Sequence, residues 1–194
     1  MTKTVRLIAV LAAFLAGAAA LVAVVLVVLP RETVKPSAVG GPFHLTDQTG
    51  RAVTEADFKG KAFLVFFGFT HCPDICPTTL FEISEVLNRL GPDAEQVAAL
   101  FISVDPERDT PAKLKDYLAD FHPRIFGLTG TPAQIEAVVK EYRVYAKKVP
   151  LAGGDYTMDH SAVVYLMDKQ GRFIAPFNVK RSAEQAAADL KRQL

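Results

Sequence analysis

The chain has 194 residues, with 22 Lys+Arg against 21 Asp+Glu, and a formal charge of +1 at pH 7. That balance argues against a nucleic-acid binder or a polybasic membrane-surface protein, either of which needs a clear basic excess. Two cysteines allow one pair and exclude a multi-bridge disulfide scaffold.

Residues 7–29 run for 23 positions without a charged or strongly polar side chain. As a helix that segment reaches roughly 34 Å, enough for a bilayer core of about 30 Å. Lys3 and Arg6 precede it, which favours a cytoplasmic N-terminus and an exported C-terminal domain. A cleaved signal peptide competes, with Ala16-Gly17-Ala18 or Ala18-Ala19-Ala20 imitating a cleavage site. Signal h-regions span only about 7–15 residues, so an uncleaved transmembrane anchor is the expectation. No cysteine stands before Cys72 to carry a lipid, and the segment is not the Arg- and Ser-rich stretch of a transit peptide. The expected location is therefore a bacterial inner membrane, crossed once, with the C-terminal domain in the periplasm. Three parts follow: residues 1–29 as anchor, 30–42 (PRETVKPSAVGGP) as a Pro/Gly linker, and 43–194 as one domain of about 150 residues.

Within the domain, residues 43–45 and 51–53 flank a turn at 47–50 and suggest a small hairpin. Residues 62–69 (AFLVFFGF) and 97–104 (VAALFISV) are near-continuous apolar runs, as expected of strands buried on both faces. Between them, residues 71–77 lead into a helix that ends near Leu90, before Gly91-Pro92. Thr110-Pro111 and Thr131-Pro132 each read as an N-cap followed by proline at the first helical position. Residues 143–149 and 162–167 read as strands, 168–171 as a turn into strand 172–175, and 182–194 as a closing amphipathic helix. Strands alternating with helices give an α/β fold with a mixed central sheet flanked by helices.

The segment 68–77 (GFTHCPDICP) puts Cys72 and Cys76 between a buried strand and a helix start. Helix-end amides and the dipole there favour a thiolate, so depressed thiol pKa values are expected. With three residues between them, the sulfurs can spread to chelate a metal or close into a redox-active disulfide. Soft Cu(I) suits thiolates, and an added imidazole also suits Cu(II); Cys₂His with water equally resembles a zinc site. Of the four histidines, His71 adjoins Cys72 and is expected to point away, while His44 and His122 lie in a hairpin and after a helix. His160 stands before strand 162–167, where thioredoxin-like folds bring a loop beside such a cysteine pair. Asp74 either tunes the thiols from behind the ligands or satisfies loop amides, and Asp159 either orients His160 through a hydrogen bond or is a turn residue. Asp109 and Thr110 are expected to cap the helix at Pro111, Met158 to pack, and Lys147-Lys148 to be solvated or to dock an acidic partner.

Taken together, GFTHCPDICP, the run 105–111 (DPERDTP) and the run 154–161 (GDYTMDHS) resemble the Sco/SenC family, over about residues 40–194 and in the family's order. That resemblance implies a membrane-anchored thioredoxin-like copper protein used in cytochrome c oxidase assembly. It also implies one copper, Cu(I) or Cu(II), held by Cys72, Cys76 and His160, with no departure at a ligand position. The implied activity is a metallochaperone delivering copper to the CuA site. The implied partners are the copper-binding subunit of the oxidase and a further periplasmic copper chaperone. The alternative is a thiol–disulfide oxidoreductase that uses Cys72 and Cys76 to reduce the target's cysteines before metallation. A structural disulfide is the weakest reading, because so short a loop gains little from closure.

Overall fold

The computed structural model describes residues 3–28 and 38–194; inside the first helix, side chains are described at positions 5, 8 and 11–21. The chain divides into two units, Met1–Pro36 and Ser37–Leu194. Helix α1 (Lys3–Val28) forms the first, and Leu11, Phe14, Leu15 and Leu21 on it are exposed. Among the described residues no helix is long and apolar enough to cross a membrane. The longest run of described side chains in α1 is 11–21, so the anchor expected at 7–29 extends outside the described residues. Positions 30–37 of the expected linker lie outside them as well.

In the second unit the expected hairpin forms from β1 (His44–Asp47) and β2 (Ala52–Thr54). Asp47 sits at its turn and accepts from the backbone N–H groups of Thr49 (2.8 Å) and Arg51 (3.0 Å). The two apolar runs become β3 (Ala62–Gly68) and β4 (Val97–Ser103), in which every residue is buried. They pair in parallel from Ala62↔Val97 to Gly68↔Ser103. Phe63, Phe66 and Phe67 lose essentially all exposure, each worth about 1.5–3 kcal/mol of apolar burial.

Helix α2 (Ile75–Leu90) crosses from β3 to β4 and stops at Gly91, whose φ of 56° is the left-handed region that glycine tolerates. It begins two residues before Pro77, earlier than the sequence suggests. A proline in the first turn costs little, because its missing N–H would have no helical partner anyway. Helix α3 (Pro111–Leu118) starts as expected, the Thr110 side chain accepting from the Lys113 N–H. Strand β5 (Ile125–Thr129), which the sequence pattern does not indicate, lies between β4 and β1. Its centre is Gly127, where a Cβ would come within 2.7 Å of Leu118 Cδ1, so β5 and α3 approach through a residue that weakens the strand signal.

Helix α4 (Pro132–Glu141) carries the second Thr-Pro start as a full capping box. Among the described residues, strands β6 (Ala146–Pro150) and β7 (Tyr156–His160) pair only with each other, Ala146 opposite His160. Strands β8 (Val164–Met167) and β9 (Phe173–Pro176) and helix α5 (Ala183–Lys191) complete the unit. The main sheet runs β2-β1-β5-β4-β3-β8-β9, mixed in direction, with α2 packed with α5, α3 against β5 and α4 against β1. This is the thioredoxin-like α/β architecture expected.

Candidate metal centre

Two segments far apart in sequence meet at the C-terminal end of β3. The first is the loop from Phe69 into α2. Val104 N–H donates to the Gly68 carbonyl (2.8 Å) and Cys72 N–H to the Phe69 carbonyl (3.3 Å), which turns the chain back on itself. Cys76, inside the first turn of α2, is fully buried, while Cys72 is half-buried at the mouth. The Cys76 N–H donates to Cys72 Sγ at 3.4 Å. Gly68 is what lets Cys76 sit this close to the strand, because a Cβ there would meet Cys76 Sγ at 2.7 Å and Phe101 at 2.6 Å. Both thiols are free.

The second segment is β7. His160 ends it, and Tyr145 and Ser161 tie that end together: Ser161 N–H donates to the Tyr145 carbonyl (2.9 Å), and Tyr145 N–H to Ser161 Oγ (3.1 Å). The imidazole stands edge-on to Phe69 and Phe66, with centroids at 5.7 and 6.4 Å. Its Nδ1 lies 3.1 Å from the Ser161 carbonyl, which can only accept. Nδ1 therefore carries the proton, and the lone pair of Nε2 faces Cys76 Sγ at 3.6 Å. One donor atom each from Cys72, Cys76 and His160 lie within 4.8 Å of one another.

Electrostatics divide the donors. Burial pushes the Cys76 thiol well above its ordinary value; a backbone hydrogen bond from Phe69 opposes the rise, and Cys72 and Asp109 add to it. The helix start thus does not depress this thiol as the sequence suggested, because desolvation outweighs the dipole. Burial also pushes His160 below its ordinary value, opposed by the Ser161 carbonyl and the Asp159 charge. The imidazole is neutral and ready to ligate at neutral pH, whereas Cys76 must first give up a proton.

The other sequence candidates fall elsewhere. Asp74 is the exposed N-cap residue of α2, without a side-chain capping bond. Asp159 is exposed and acts on His160 through its charge, while the hydrogen bond that orients the ring comes from Ser161. Asp109 does not cap α3, as Thr110 alone does. It is fully buried and accepts from Thr70 N–H (3.0 Å), Thr70 Oγ (2.6 Å) and Ser103 Oγ (2.6 Å), pinning the cysteine loop to β4. Met158 packs against the core, as expected. Lys148 pairs with Glu107 at 2.7 Å and lies over the Tyr156 ring, both partners of the ion pair staying exposed to solvent. His122 Nδ1 accepts from the Arg124 N–H, and neither His122 nor His44 belongs to the donor cluster.

Two thiols and a neutral imidazole form a soft-to-borderline set that fits copper in either oxidation state and would also fit zinc. With three protein donors, a bound ion keeps a position for an incoming ligand. Comparison with known proteins bears on the choice. The SCO1/SenC family model matches residues 31–194. A solved structure of Bradyrhizobium japonicum ScoI with copper bound is 65% identical, with a TM-score of 0.79, covering 80% of this chain and 99% of that one. BsSco, described as having a disulfide switch and as a member of the Sco family of cytochrome c oxidase assembly proteins, is 28% identical, with a TM-score of 0.64, covering 81% and 94%. The mitochondrial SCO2 homolog of Bos taurus is 45% identical over 167 residues, 84% of this chain and 63% of that protein. The chain spans 42–63% of the length of such curated relatives.

Proposed function

The chain belongs to the SCO1/SenC family, and from that premise we propose that it is a copper metallochaperone acting in cytochrome c oxidase assembly. It takes one copper, Cu(I) or Cu(II), on Cys72, Cys76 and His160 and passes it to the CuA site of the oxidase's copper-binding subunit. The observation that carries this reading is the convergence of three donor atoms, from segments 84 positions apart, within 4.8 Å. The copper-bound relative supports copper over zinc. Copper is cargo, so transfer is ligand exchange: a donor from the partner enters the open position, and a protein donor leaves. No covalent bond of a substrate is broken. Cys72, at the mouth, is the thiol an incoming ligand meets first, and Cys76 is the buried anchor.

Delivery to a membrane complex fits attachment through residues 7–29, with the domain in the periplasm of a bacterium. The apolar run and the exposed Leu11, Phe14, Leu15 and Leu21 support that placement. Tethering raises the local concentration near such a partner. A further periplasmic copper chaperone is the proposed donor.

A second reading is favoured by the two free thiols with sulfurs in reach of each other and by the disulfide switch described for BsSco. In it, the Cys72–Cys76 pair is oxidised to a disulfide while a partner disulfide is reduced, and two electrons and two protons pass between them. Replacing His160 separates the readings. In His160→Ala, Cu(II) binding with its thiolate-to-copper absorption should be sharply weakened or altered, while the dithiol stays oxidisable. Equal copper binding by wild type and variant would overturn the three-donor site; retained oxidase assembly by the variant in cells would favour the redox reading.

A further inference from the structure

Between the cysteine loop and the histidine hairpin runs a segment rich in polar groups, residues 103–109, which neither donor set uses. Its first end is the Asp109 carboxylate, bonded to Thr70 two residues before Cys72 and to Ser103. Ser103 Oγ in turn accepts from the Asp105 N–H at 3.0 Å, and the Asp105 carbonyl accepts from the N–H groups of Arg108 (3.2 Å) and Asp109 (2.9 Å). The second end reaches β7. Asp105 accepts from Tyr156 OH at 2.8 Å and from Arg108 Nε at 2.5 Å. Arg108 also donates to the Tyr156 carbonyl (3.0 Å) and to Asp155 (3.4 Å), and its guanidinium lies 3.7 Å from the centre of the Tyr156 ring.

Three features make this more than a loop folded on itself. Ser103, Asp105 and Asp109 are at most 2% exposed, and fully satisfied buried polar chains are rigid because each lost partner is costly. Arg108 Nη2 is buried without a hydrogen-bond partner among the described residues, so the guanidinium keeps its place over Tyr156 at the expense of one of its own donors. Third, among the described residues β6–β7 shares no ladder with the main sheet, so side-chain contacts help to set where the hairpin lies. Tyr156 opens β7 and His160 ends it, four residues or roughly 13 Å along one strand.

We propose that Arg108, with Asp105 and Tyr156, is a positioning device that fixes the reach of His160 toward Cys72 and Cys76 by bracing the hairpin against the segment that pins the cysteine loop. The inference rests on the copper-centre reading and adds to it the residues that hold the two halves in register. When the brace is cut, the imidazole no longer meets the thiols at a fixed distance, and an ion that needs all three donors loses one. An ion satisfied by two thiolates is affected less.

The test uses Arg108→Ala, Arg108→Lys and Tyr156→Phe in the full chain, with and without copper. In metal-free protein, amide hydrogen exchange over residues 157–161 should quicken at least tenfold in Arg108→Ala, and the His160 ring resonances should shift. Amides of β3 and α2 should stay as in wild type. With copper, Cu(II) affinity should fall about 10- to 100-fold, the size seen when groups supporting metal ligands are removed, and the thiolate-to-Cu(II) band should change while Cu(I) binding changes less. Tyr156→Phe, which removes one hydroxyl, should act in the same direction more weakly, and Arg108→Lys should recover part of the loss. Wild-type hairpin exchange and copper spectra in both Arg108→Ala and Tyr156→Phe would overturn the proposal. So would exchange that quickens uniformly across the domain, the mark of a merely structural role. Failure of the copper-centre reading looks different: wild type and His160→Ala would bind copper alike, whatever the hairpin does.

Discussion

The two halves of the metal centre are built to different standards of rigidity. Cys76 sits in the first turn of a sixteen-residue helix, buried against β3, one of the two strands in which all seven residues are buried. His160 ends a two-stranded hairpin outside that sheet, with its partner strand half-exposed or exposed along its length. The thiol half inherits its position from the core; the imidazole half has to be held by a few named contacts. Such a division suits the proposed transfer, because one side can loosen while the other keeps the ion from solvent.

The largest break in that comparison is on the rigid side. Cys76→Ser should reduce copper affinity by well over the roughly 100-fold lost when a group supporting a ligand is removed, because it removes a donor rather than its support. Competition against a chelator measures it. A loss smaller than that of His160→Ala would reverse the ranking of the two halves.

Protonation sharpens the same contrast. Burial holds the Cys76 thiol protonated far past neutrality and holds His160 below its ordinary value, neutral at pH 7. Copper therefore displaces a proton from the thiol and not from the ring. The sign follows: affinity should fall as pH falls, by about tenfold per pH unit for each proton displaced, with no inflection near pH 6.5 from the imidazole. A break in slope there, in a copper titration between pH 6 and 8, would mean that His160 is charged before binding.

Packing gives a third, smaller test. A Cβ on Gly68 would strike Cys76 Sγ and the Phe101 ring, so Gly68→Ala should cost about 1–3 kcal/mol of stability by overpacking and push the buried thiol away from His160. Thermal unfolding and the copper spectrum report the two effects. An unchanged spectrum would show that the thiol side yields more easily than its burial implies.

How much of this was legible in the sequence follows the range of the interactions. The apolar runs of β3 and β4 and the two Thr-Pro helix starts are local patterns, and the structure repeats them almost residue for residue. Strand β5 is hidden in the sequence because Gly127 weakens its local signal; the close approach of Leu118 and Leu114 explains why a glycine is there. The brace was invisible for a similar reason. DPERDTP could be seen as a motif, but that Asp109 turns inward to Thr70 and Arg108 outward to Tyr156 depends on pairings 39 and 48 positions apart. That Cys76 lies beside a helix start is legible in the sequence, but the direction of its shift is not, since burial is a property of the packed core.

The smallest expected effect concerns how the ring is aimed. In the sequence, Asp159 looks like the group that orients His160, but it is exposed, and the ring's Nδ1–H is held by the Ser161 carbonyl. An exposed charge interacting through solvent contributes little, so Asp159→Asn should change copper affinity by no more than about fivefold, with the dependence on salt reduced. Because the Ser161 contact is a backbone one, no single side-chain replacement removes it. Ser161→Ala instead cuts the Oγ bond to the Tyr145 N–H and loosens the turn that presents the carbonyl. If the imidazole is aimed by that turn, Ser161→Ala should disturb the copper spectrum more than Asp159→Asn does; the reverse order would return the orienting role to the carboxylate.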